Sequence, residues 1–211
     1  MSRTLLIGDV HGCAAELQTL VASVEPSHVV LVGDLFTKGP DPAGVWQAIR
    51  AWKAEAVLGN QDVRLLNAGK DASPRPALKA CIASLDRWDT AWRSWLEQRP
   101  LFLDIAGFTV VHAGIHPSGD LAKTTRDMAL NMRSYPMSEP NAARWHEQYT
   151  GDRRVVFGHD ARRGLVRHLR GRQTWVLGLD TGCVYGGSLT GYVVEEDRLV
   201  QVPAARAYRP V

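Results

Sequence analysis

The sequence predicts a single α/β domain in which short buried strands alternate with amphipathic helices. In the first half of the chain, short β-branched runs are each followed by apolar residues at helical spacing. The 211 residues, 45% hydrophobic and 22% charged, suffice for one core but are few for two. We therefore expect residues 1–211 to form one domain around a largely parallel sheet, with the functional site at the carboxyl ends of its strands.

Element boundaries in the first half follow from this spacing and from residues that begin or end helices. Pro26 ends the first helix, and Asp41 is the predicted N-cap of the second, with Pro42 in its first turn. The predicted strands are Leu5–Ile7, His28–Asp34 and Ala56–Leu58, and the predicted helices are Cys13–Val24 and Asp41–Trp52.

The second half opens with a tryptophan-rich helical segment, Pro74–Gln98. Its large apolar residues recur at helical spacing, which favours core packing over a base-stacking surface; they are Leu85, Trp88, Trp92, Trp95 and Leu96. The remaining predicted elements are a hairpin (Leu101–Ile105 and Thr109–Val111), a mixed helix and loop region that would cap the site (Ser118–Gly151) and closing antiparallel strands (Thr174–Leu179, Leu189–Glu195 and Arg198–Val202).

The segment Gly8-Asp9-Val10-His11-Gly12 follows the first strand and carries two metal-binding side chains two positions apart. Alternate residues of a strand point the same way, and glycine permits the tight turn that follows, so Asp9 and His11 can reach one ion. Taken alone, the segment is equally typical of a strand-to-helix turn with an aspartate near the N-cap and a surface histidine.

Four further stretches also combine a short apolar run, a glycine and an Asp, Asn or His side chain. They are Val32-Gly33-Asp34, Leu58-Gly59-Asn60, Val111-His112-Ala113-Gly114 and Phe157-Gly158-His159. Together with Asp9 and His11 they supply enough donors for two metal ions with one bridging carboxylate. Two Asp, one Asn and three His suit Mn, Fe or Zn, because an all-oxygen magnesium or calcium site would not need the imidazoles.

Composition and cysteine spacing argue against several other classes of protein. The sequence has no apolar run of about 18 residues and no signal segment, so we expect no membrane span, no cleaved leader and, by default, a cytoplasmic location. Cys13, Cys81 and Cys183 lack CxxC spacing, which argues against a disulfide framework and a thiolate zinc site. Seven arginines between residues 153 and 172 predict a solvated basic face, or one that steers a polyanion toward the site.

The ordered motifs resemble those of the calcineurin-like metallophosphoesterases, whose blocks are GDxHG, GDxxDRG, GNHE, His-Ala-Gly and Gly-His. The most similar branch is that of ApaH-like phosphatases and diadenosine tetraphosphate hydrolases. The stretches that carry this resemblance are Gly8-Asp9-Val10-His11-Gly12-Cys13, Lys38-Gly39-Pro40-Asp41, Gly59-Asn60-Gln61-Asp62 and the tail from Leu179 to Thr190. The resemblance covers nearly the whole chain and implies an αββα sandwich with mixed β-sheets flanked by helices.

The resemblance also implies a role for each donor at a dinuclear centre, with manganese expected first and Fe, Zn, Co or Ni as alternatives. Asp9 and His11 would bind one ion, Asp34 would bridge, and Asn60, His112 and His159 would bind the other. Lys38, where the family usually has arginine, and Arg133 would join Asn60 in contacting substrate phosphate; the alternative for Lys38 is an ordinary surface lysine. Asp34, Lys38, Asn60 and Arg133 are thus the expected catalytic residues.

Two positions depart from the general acid of the wider family. Gln61 stands in place of the histidine of GNHE, and Thr37 in place of the aspartate of GDxxDRG, so neither side chain can protonate a leaving oxygen at neutral pH. A serine alkoxide would leave poorly, whereas a phosphate, with a second pKa of about 6, needs little protonation. His116 is the alternative acid, unless it is a surface histidine beside Pro117.

The expected function is hydrolysis of phosphoanhydrides in nucleoside polyphosphates, including dinucleoside tetraphosphates or 5'-phosphorylated RNA ends. The first alternative is a phosphoprotein phosphatase, and the second is an inactive metal-dependent phosphate-binding module. Trp145, Tyr149 and Tyr185 are candidates for stacking on a base or, equally, for partial core positions. The sequence leaves the substrate's base, the symmetry of cleavage and the oligomeric state open.

Overall fold

The computed structural model describes residues 2–68, 70, 73 and 75–210. In chain order the strands are β1 (Thr4–Ile7), β2 (His28–Leu31), β3 (Glu55–Ala56), β4 (Phe102–Ile105), β5 (Phe108–Val111), β6 (Arg154–Phe157), β7 (Val166–Arg170), β8 (Gln173–Gly178), β9 (Ser188–Val193) and β10 (Arg198–Pro203). The helices are α1 (Ala14–Val24), α2 (Pro42–Trp52), α3 (Asn60–Ala68), α4 (Pro76–Trp88), α5 (Trp92–Glu97) and α6 (Arg126–Asn131).

Within the described residues, the strands form two five-stranded mixed sheets. The first has the order β10-β9-β1-β2-β3 and the second the order β4-β5-β6-β8-β7. Parallel pairs lie at the centre of each sheet, as in the register of Leu6 with Val30 and of Val110 with Val156. The single largely parallel sheet predicted from the strand and helix repeats is therefore wrong, because the repeated motifs are divided between two sheets.

Three apolar layers hold the sheets and helices together. Leu6 and Val30 of the first sheet pack with Val156 and Leu177 of the second in one buried cluster, so the two sheets face each other. The other face of the first sheet packs against α1, α2, α4 and α5, and the other face of the second packs against Trp145 and the α6 region. The implied αββα sandwich with mixed sheets is confirmed.

Several predicted elements are reproduced closely. Asp41 caps α2, its side chain accepting from the amide of Gly44 at 2.8 Å, and Pro42 occupies the first helical position. The predicted hairpins occur as β4–β5 and β9–β10. Among the described helices, none is long and apolar enough to cross a membrane.

The tryptophan-rich segment forms two helices, α4 and α5, and not one. The side chain of Asp89 accepts from the amide of Ala91 at 2.9 Å, a local bond that competes with helix continuation. Trp92 is fully buried, but Trp88, next to the break, is 44% exposed and does not belong to a continuous inward face. Pro74, the predicted start of the segment, lies outside the described residues.

Strand β7 was not predicted, and β8 was placed with the wrong neighbours. β7 is an edge strand rich in basic residues, which suits an exposed edge but conceals the apolar alternation of a strand. β8 pairs parallel with β6 and antiparallel with β7 in the second sheet, whereas β9 and β10 close the first.

Candidate metal centre

The six predicted donors converge at the ends of strands from both sheets. Asp9 and His11 follow β1, Asp34 follows β2, Asn60 begins α3 after β3, His112 follows β5, and His159 follows β6. All except His112 line one cavity of about 720 Å³. His112 is completely buried behind the cavity wall and faces Asp34.

The carboxylates and imidazoles of this cluster are close enough to share ions. Nε2 of His11 lies 3.9 Å from Oδ2 of Asp9 and 3.5 Å from Oδ2 of Asp34. Nε2 of His112 lies 3.4 Å from the other oxygen of Asp34. Asp34 therefore has one oxygen toward each of two histidines, as a bridging carboxylate would.

Backbone contacts orient the two later histidines. Nδ1 of His112 lies 2.9 Å from the carbonyl oxygen of Val32, so this nitrogen carries the proton and Nε2 is left as an acceptor. The amide of His159 donates to Oδ1 of Asp9 at 3.1 Å, and its Nε2 lies 3.2 Å from the carbonyl oxygen of Asn131. The second sheet is thus tied directly to the first metal-binding motif.

Four residues of the site have left-handed backbone conformations, although none is glycine. The φ angles are 48° for His11, 54° for Asp34, 75° for Lys38 and 71° for His159. Such conformations cost on the order of 1–3 kcal/mol each and persist only where the surroundings enforce them. The neighbouring Gly158 has no room for a side chain, because a Cβ there would overlap Oδ1 of Asp9.

Asp62 stabilises the loops that carry Asp34 and Asn60. This carboxylate is fully buried and accepts from the backbone amides of Asp34, Leu35 and Gly59 at 2.8–3.0 Å. It holds the ends of β2 and β3 in register at the site. Sequence reasoning assigned Asp62 no role, although its position after Asn60 belongs to a recognised motif.

Burial raises the pKa of the acids and lowers that of the histidines. The pKa of Asp34 rises to about 6, and that of Asp9 lies well above its ordinary value because of burial and the nearby carboxylates of Asp180 and Asp34. Burial also lowers the pKa of His11 and His112, and that of His159 to about 2. Neutral imidazoles beside buried carboxylates are ready to bind cations, and a bound cation would favour ionised acids.

Two unpartnered atoms indicate that these residues fit metal ions. Oδ2 of Asp9 and Nε2 of His112 are buried without a hydrogen-bond partner among the described residues. Buried polar atoms are normally satisfied, so two such atoms in one cluster are best explained by ligands other than protein. The Asp, Asn and His donors suit borderline to hard divalent ions.

Basic side chains surround the same cavity. Nζ of Lys38 lies 3.1 Å from Nε2 of His11 and donates to the hydroxyl of Tyr185 at 3.0 Å. Arg133 and Arg144 both approach Asp160, at 3.4 and 3.3 Å, and line the cavity with it. The predicted phosphate-binding residues Lys38 and Arg133 are therefore present at the cavity.

Comparison with known proteins identifies the family. The family model described as calcineurin-like phosphoesterase matches residues 2–176. The chain belongs to this family. Calcineurin-like phosphoesterases are hydrolases that use divalent metal ions, and the Asp and His cluster described above supplies candidate ligands.

Other members of the calcineurin-like family resemble the chain over nearly its full length. A symmetrical bis(5'-nucleosyl)-tetraphosphatase from Bordetella pertussis is 29% identical over 97% of this chain and 96% of its own. A protein of the same name from Edwardsiella ictaluri is 29% identical over 98% of each. A solved structure assigned as a diadenosine tetraphosphatase has a TM-score of 0.81, with 32% identity over 96% of this chain and 94% of that one.

The two residues that replace the family's general acid lie apart from the alternative acid, His116. Gln61 lines the cavity, where its Nε2 donates to Oδ1 of Asn60 at 3.3 Å, while Thr37 is buried. His116 lies outside the residues that line the cavity; its ring nitrogens are 2.8 Å from the hydroxyl of Ser118 and 2.9 Å from that of Tyr135. The described arrangement does not bring His116 to the metal-binding cluster.

Sequence reasoning assigned no role to three charged residues of the cavity: Asp160, Asp180 and Arg144. Burial raises the pKa of Asp180 to about 6, and this acid increases the pKa of Asp9. It follows the apolar end of β8 and precedes Thr181-Gly182, so it repeats the pattern that revealed the other donors. Asp160 adjoins the recognised His159, but no sequence pattern distinguished Arg144.

Some of the aromatic residues considered for base stacking, and some of the clustered arginines, lie at the cavity, and others lie elsewhere. Trp145 is buried and donates to the carbonyl of Ala113, whereas Tyr185 lines the cavity. Four of the seven clustered arginines form ion pairs with carboxylates; they are Arg153, Arg163, Arg167 and Arg170. Arg162 lines the cavity, so the basic stretch contributes to the site as well as to the surface.

Proposed function

We propose that the chain hydrolyses phosphoanhydride bonds of nucleoside polyphosphates, with dinucleoside tetraphosphates as the first substrate class. One observation carries this proposal: the cavity combines a metal-binding cluster with Lys38 and Arg133, while Gln61 occupies the position of the family's acid. Such a site can bind and orient a phosphoryl group but lacks the histidine and aspartate with which the wider family protonates a basic leaving group.

In this proposal Asp9, His11 and Asp34 would hold one divalent ion, and Asp34, Asn60, His112 and His159 would hold the second. The mixed imidazole and oxygen donors suit manganese, iron or zinc, and manganese is the ion expected first. When bound, the two ions supply Lewis acidity and a water of lowered pKa. The protein's own contribution is to fix these ligands, through Val32 on His112 and Asp62 on the Asp34 loop.

Cationic side chains would orient the phosphates. Lys38 provides a point charge beside His11, and Tyr185 fixes the position of its ammonium. Arg133 and Arg144 are held by the shared carboxylate of Asp160, so their guanidinium groups stand together on the cavity wall. A chain of several phosphates would use more of these cations than a single phosphate ester.

A second cavity supports a substrate with two ends. It has a volume of about 510 Å³, shares Lys38 and Gln61 with the first, and is also lined by Arg64, Arg75 and Arg209. A polyphosphate bound at Lys38 would therefore have basic space on both sides. The names of the tetraphosphatase relatives agree with a dinucleoside substrate.

The proposal is tested by separating the products of four substrates by anion-exchange chromatography in the presence of manganese. The substrates are diadenosine tetraphosphate, ATP, a phosphoserine peptide and 5'-triphosphorylated RNA. We expect diadenosine tetraphosphate to be cleaved fastest and the phosphoserine peptide slowest. Faster cleavage of the peptide would favour a phosphoprotein phosphatase, and faster cleavage of RNA would favour an RNA 5'-end hydrolase.

Metal dependence is tested in the same assay. Chelation should abolish turnover, and manganese should restore it. A metal-loaded protein that bound phosphate but was inert toward all four substrates would indicate an inactive binding module. The Asp34→Asn variant provides the background rate, because it removes the proposed bridging ligand while retaining the size of the side chain.

A further inference from the structure

A second group of metal-binding side chains lies outside the cavity described above. Cys13, Glu16 and Cys183, here termed the thiol cluster, each offer one ligand atom, and these atoms lie within 4.8 Å of one another. All three residues are buried, with 0%, 4% and 2% of their surfaces exposed. None of them lines the cavity of the candidate metal centre.

The carboxylate of Glu16 provides independent support for a cation site in the thiol cluster. Its Oε1 accepts from the amide of Ala205 at 3.0 Å and from the hydroxyl of Tyr208 at 2.8 Å. Its Oε2 is buried and has no hydrogen-bond partner among the described residues. A buried carboxylate oxygen without a donor is unfavourable, so this atom is better explained as a ligand to a cation.

We propose that Cys13, Glu16 and Cys183 bind a single thiophilic divalent cation of the Zn²⁺ class. Tetrahedral coordination with Zn–S bonds of about 2.3 Å places two sulfurs about 3.8 Å apart, so the observed cluster needs only a small contraction. Both thiols release their protons to solvent when the ion binds. The fourth position is open to water or to the hydroxyl of Tyr208.

Ligand chemistry distinguishes this site from the candidate metal centre. Two thiolates and one carboxylate favour zinc or cadmium, whereas the Asp, Asn and His donors of the cavity accept manganese. In a mixture of ions, the thiol cluster would therefore bind the softer ions and the candidate metal centre the harder ones. The thiol cluster does not depend on the proposed hydrolytic function, and either proposal can fail without the other.

An ion in the thiol cluster would join three segments that meet near Lys38. Cys13 precedes α1, and its Sγ approaches the carbonyl oxygen of His11 at 3.9 Å. Cys183 begins the short helix that ends in Tyr185, the partner of Lys38. Glu16 holds the C-terminal segment, from which Arg209 donates to the carbonyl of Lys38 at 3.1 Å. Occupancy should therefore stabilise the protein and the surroundings of Lys38.

Cadmium titration of the reduced full-length protein tests this proposal. Thiolate coordination gives an ultraviolet charge-transfer band that carboxylate and imidazole sites do not produce. We expect the band to saturate at one cadmium ion per chain and to be lost in Cys13→Ser and in Cys183→Ser. Cys81→Ser is the matched control, since Cys81 is buried elsewhere beside the carbonyl of Phe36, and it should retain the band.

Glu16→Gln keeps the hydrogen-bonding shape of the side chain and should weaken cadmium binding by about tenfold or more while keeping the band. Circular dichroism establishes that each variant is folded. If Cys13→Ser and Cys183→Ser fail to fold, the titration of Cys81→Ser decides the matter, because Cys13 and Cys183 are then the remaining cysteines. Absence of the band in the wild type, or its persistence in Cys13→Ser, would overturn the proposal. So would a Cys13 to Cys183 disulfide found by non-reducing peptide mass spectrometry in protein that binds no cadmium at this site.

Discussion

The ammonium group of Lys38 lies between the hydroxyl of Tyr185, at 3.0 Å, and Nε2 of His11, at 3.1 Å. A lysine side chain is normally mobile, but these two contacts, on a residue whose backbone is left-handed with φ 75°, restrict it. The contact joins the first metal-binding motif to the tail of the chain. Lys38 therefore lies where its ammonium group can contact a substrate phosphate, and it is not one of the proposed metal ligands.

Lys38→Ala should reduce kcat/KM by about 100-fold, because it removes one charged donor from the phosphoryl site. Metal content, measured by inductively coupled plasma mass spectrometry, should not change. Lys38→Arg should recover a substantial part of the activity, and Lys79→Ala, at an exposed helix position, is the matched control. Unchanged kinetics of Lys38→Ala on every active substrate would remove Lys38 from the site.

Tyr185→Phe should lower kcat/KM by about 3- to 10-fold, since it removes one hydrogen bond that positions Lys38 but leaves the charge in place. The effect should disappear when the Lys38→Ala substitution is already present. A double-mutant cycle of steady-state rates measures this coupling. Equal losses in both backgrounds would mean that Tyr185 acts independently of Lys38.

Asp34→Asn should lose at least about 100-fold in turnover and at least one bound ion, because the amide is a weaker ligand for both ions. The fold should survive, since the amide retains Oδ1, which accepts from the backbone of Gln61. Asp104→Asn, at an exposed carboxylate, is the control. Normal turnover with full metal content would show that Asp34 does not bridge.

Asp180→Asn should change the pH dependence of stability in the metal-free protein. Burial raises the pKa of Asp180 from 3.8 to about 6, so its protonation favours the folded state at low pH. That contribution is fully present below pH 3.8 and is lost as the pH rises through about 6. Asparagine lacks this dependence and retains an Oδ1 that can accept from the amide of Gly182.

The stability of Asp180→Asn relative to wild type should therefore increase between about pH 5 and about pH 8, by on the order of 1 kcal/mol. Urea unfolding in a chelator measures the difference, with Asp152→Asn as the exposed control. A difference that was constant across this range, or that decreased, would contradict the environment assigned to Asp180.

The local pattern predicted where the candidate donors come together better than it predicted the sheets that carry them. Each donor follows a short apolar run, a local pattern that survives in the structure for Asp9, Asp34, His112 and His159. The division of strands between two sheets depends on tertiary packing, which no local pattern records. Consequently the strand and helix repeats predicted one largely parallel sheet, whereas the mixed sheets that exist were implied only by the family resemblance.

Other differences arise from contacts between distant segments. Cysteine spacing argued against a thiolate zinc site, a prediction that stays untested; the fold brings Cys13 and Cys183, the residues of our proposed cation site, together from opposite ends of the chain. Asp62 is buried and accepts from backbone amides of two loops, and Asp160 forms ion pairs with two arginines. Each of these relationships requires the folded chain.

The dependence of kcat/KM on leaving-group pKa tests most directly whether the site works without a general acid. With Gln61 and Thr37 at the positions of the family's acid, the rate should fall steeply as the leaving-group pKa rises, so that anhydrides and aryl phosphates react faster than alkyl phosphates. The Gln61→His and Thr37→Asp pair should flatten this dependence. If kcat/KM of the unaltered protein did not change with leaving-group pKa, another group must protonate the leaving oxygen. That result would contradict the account and favour phosphoprotein substrates.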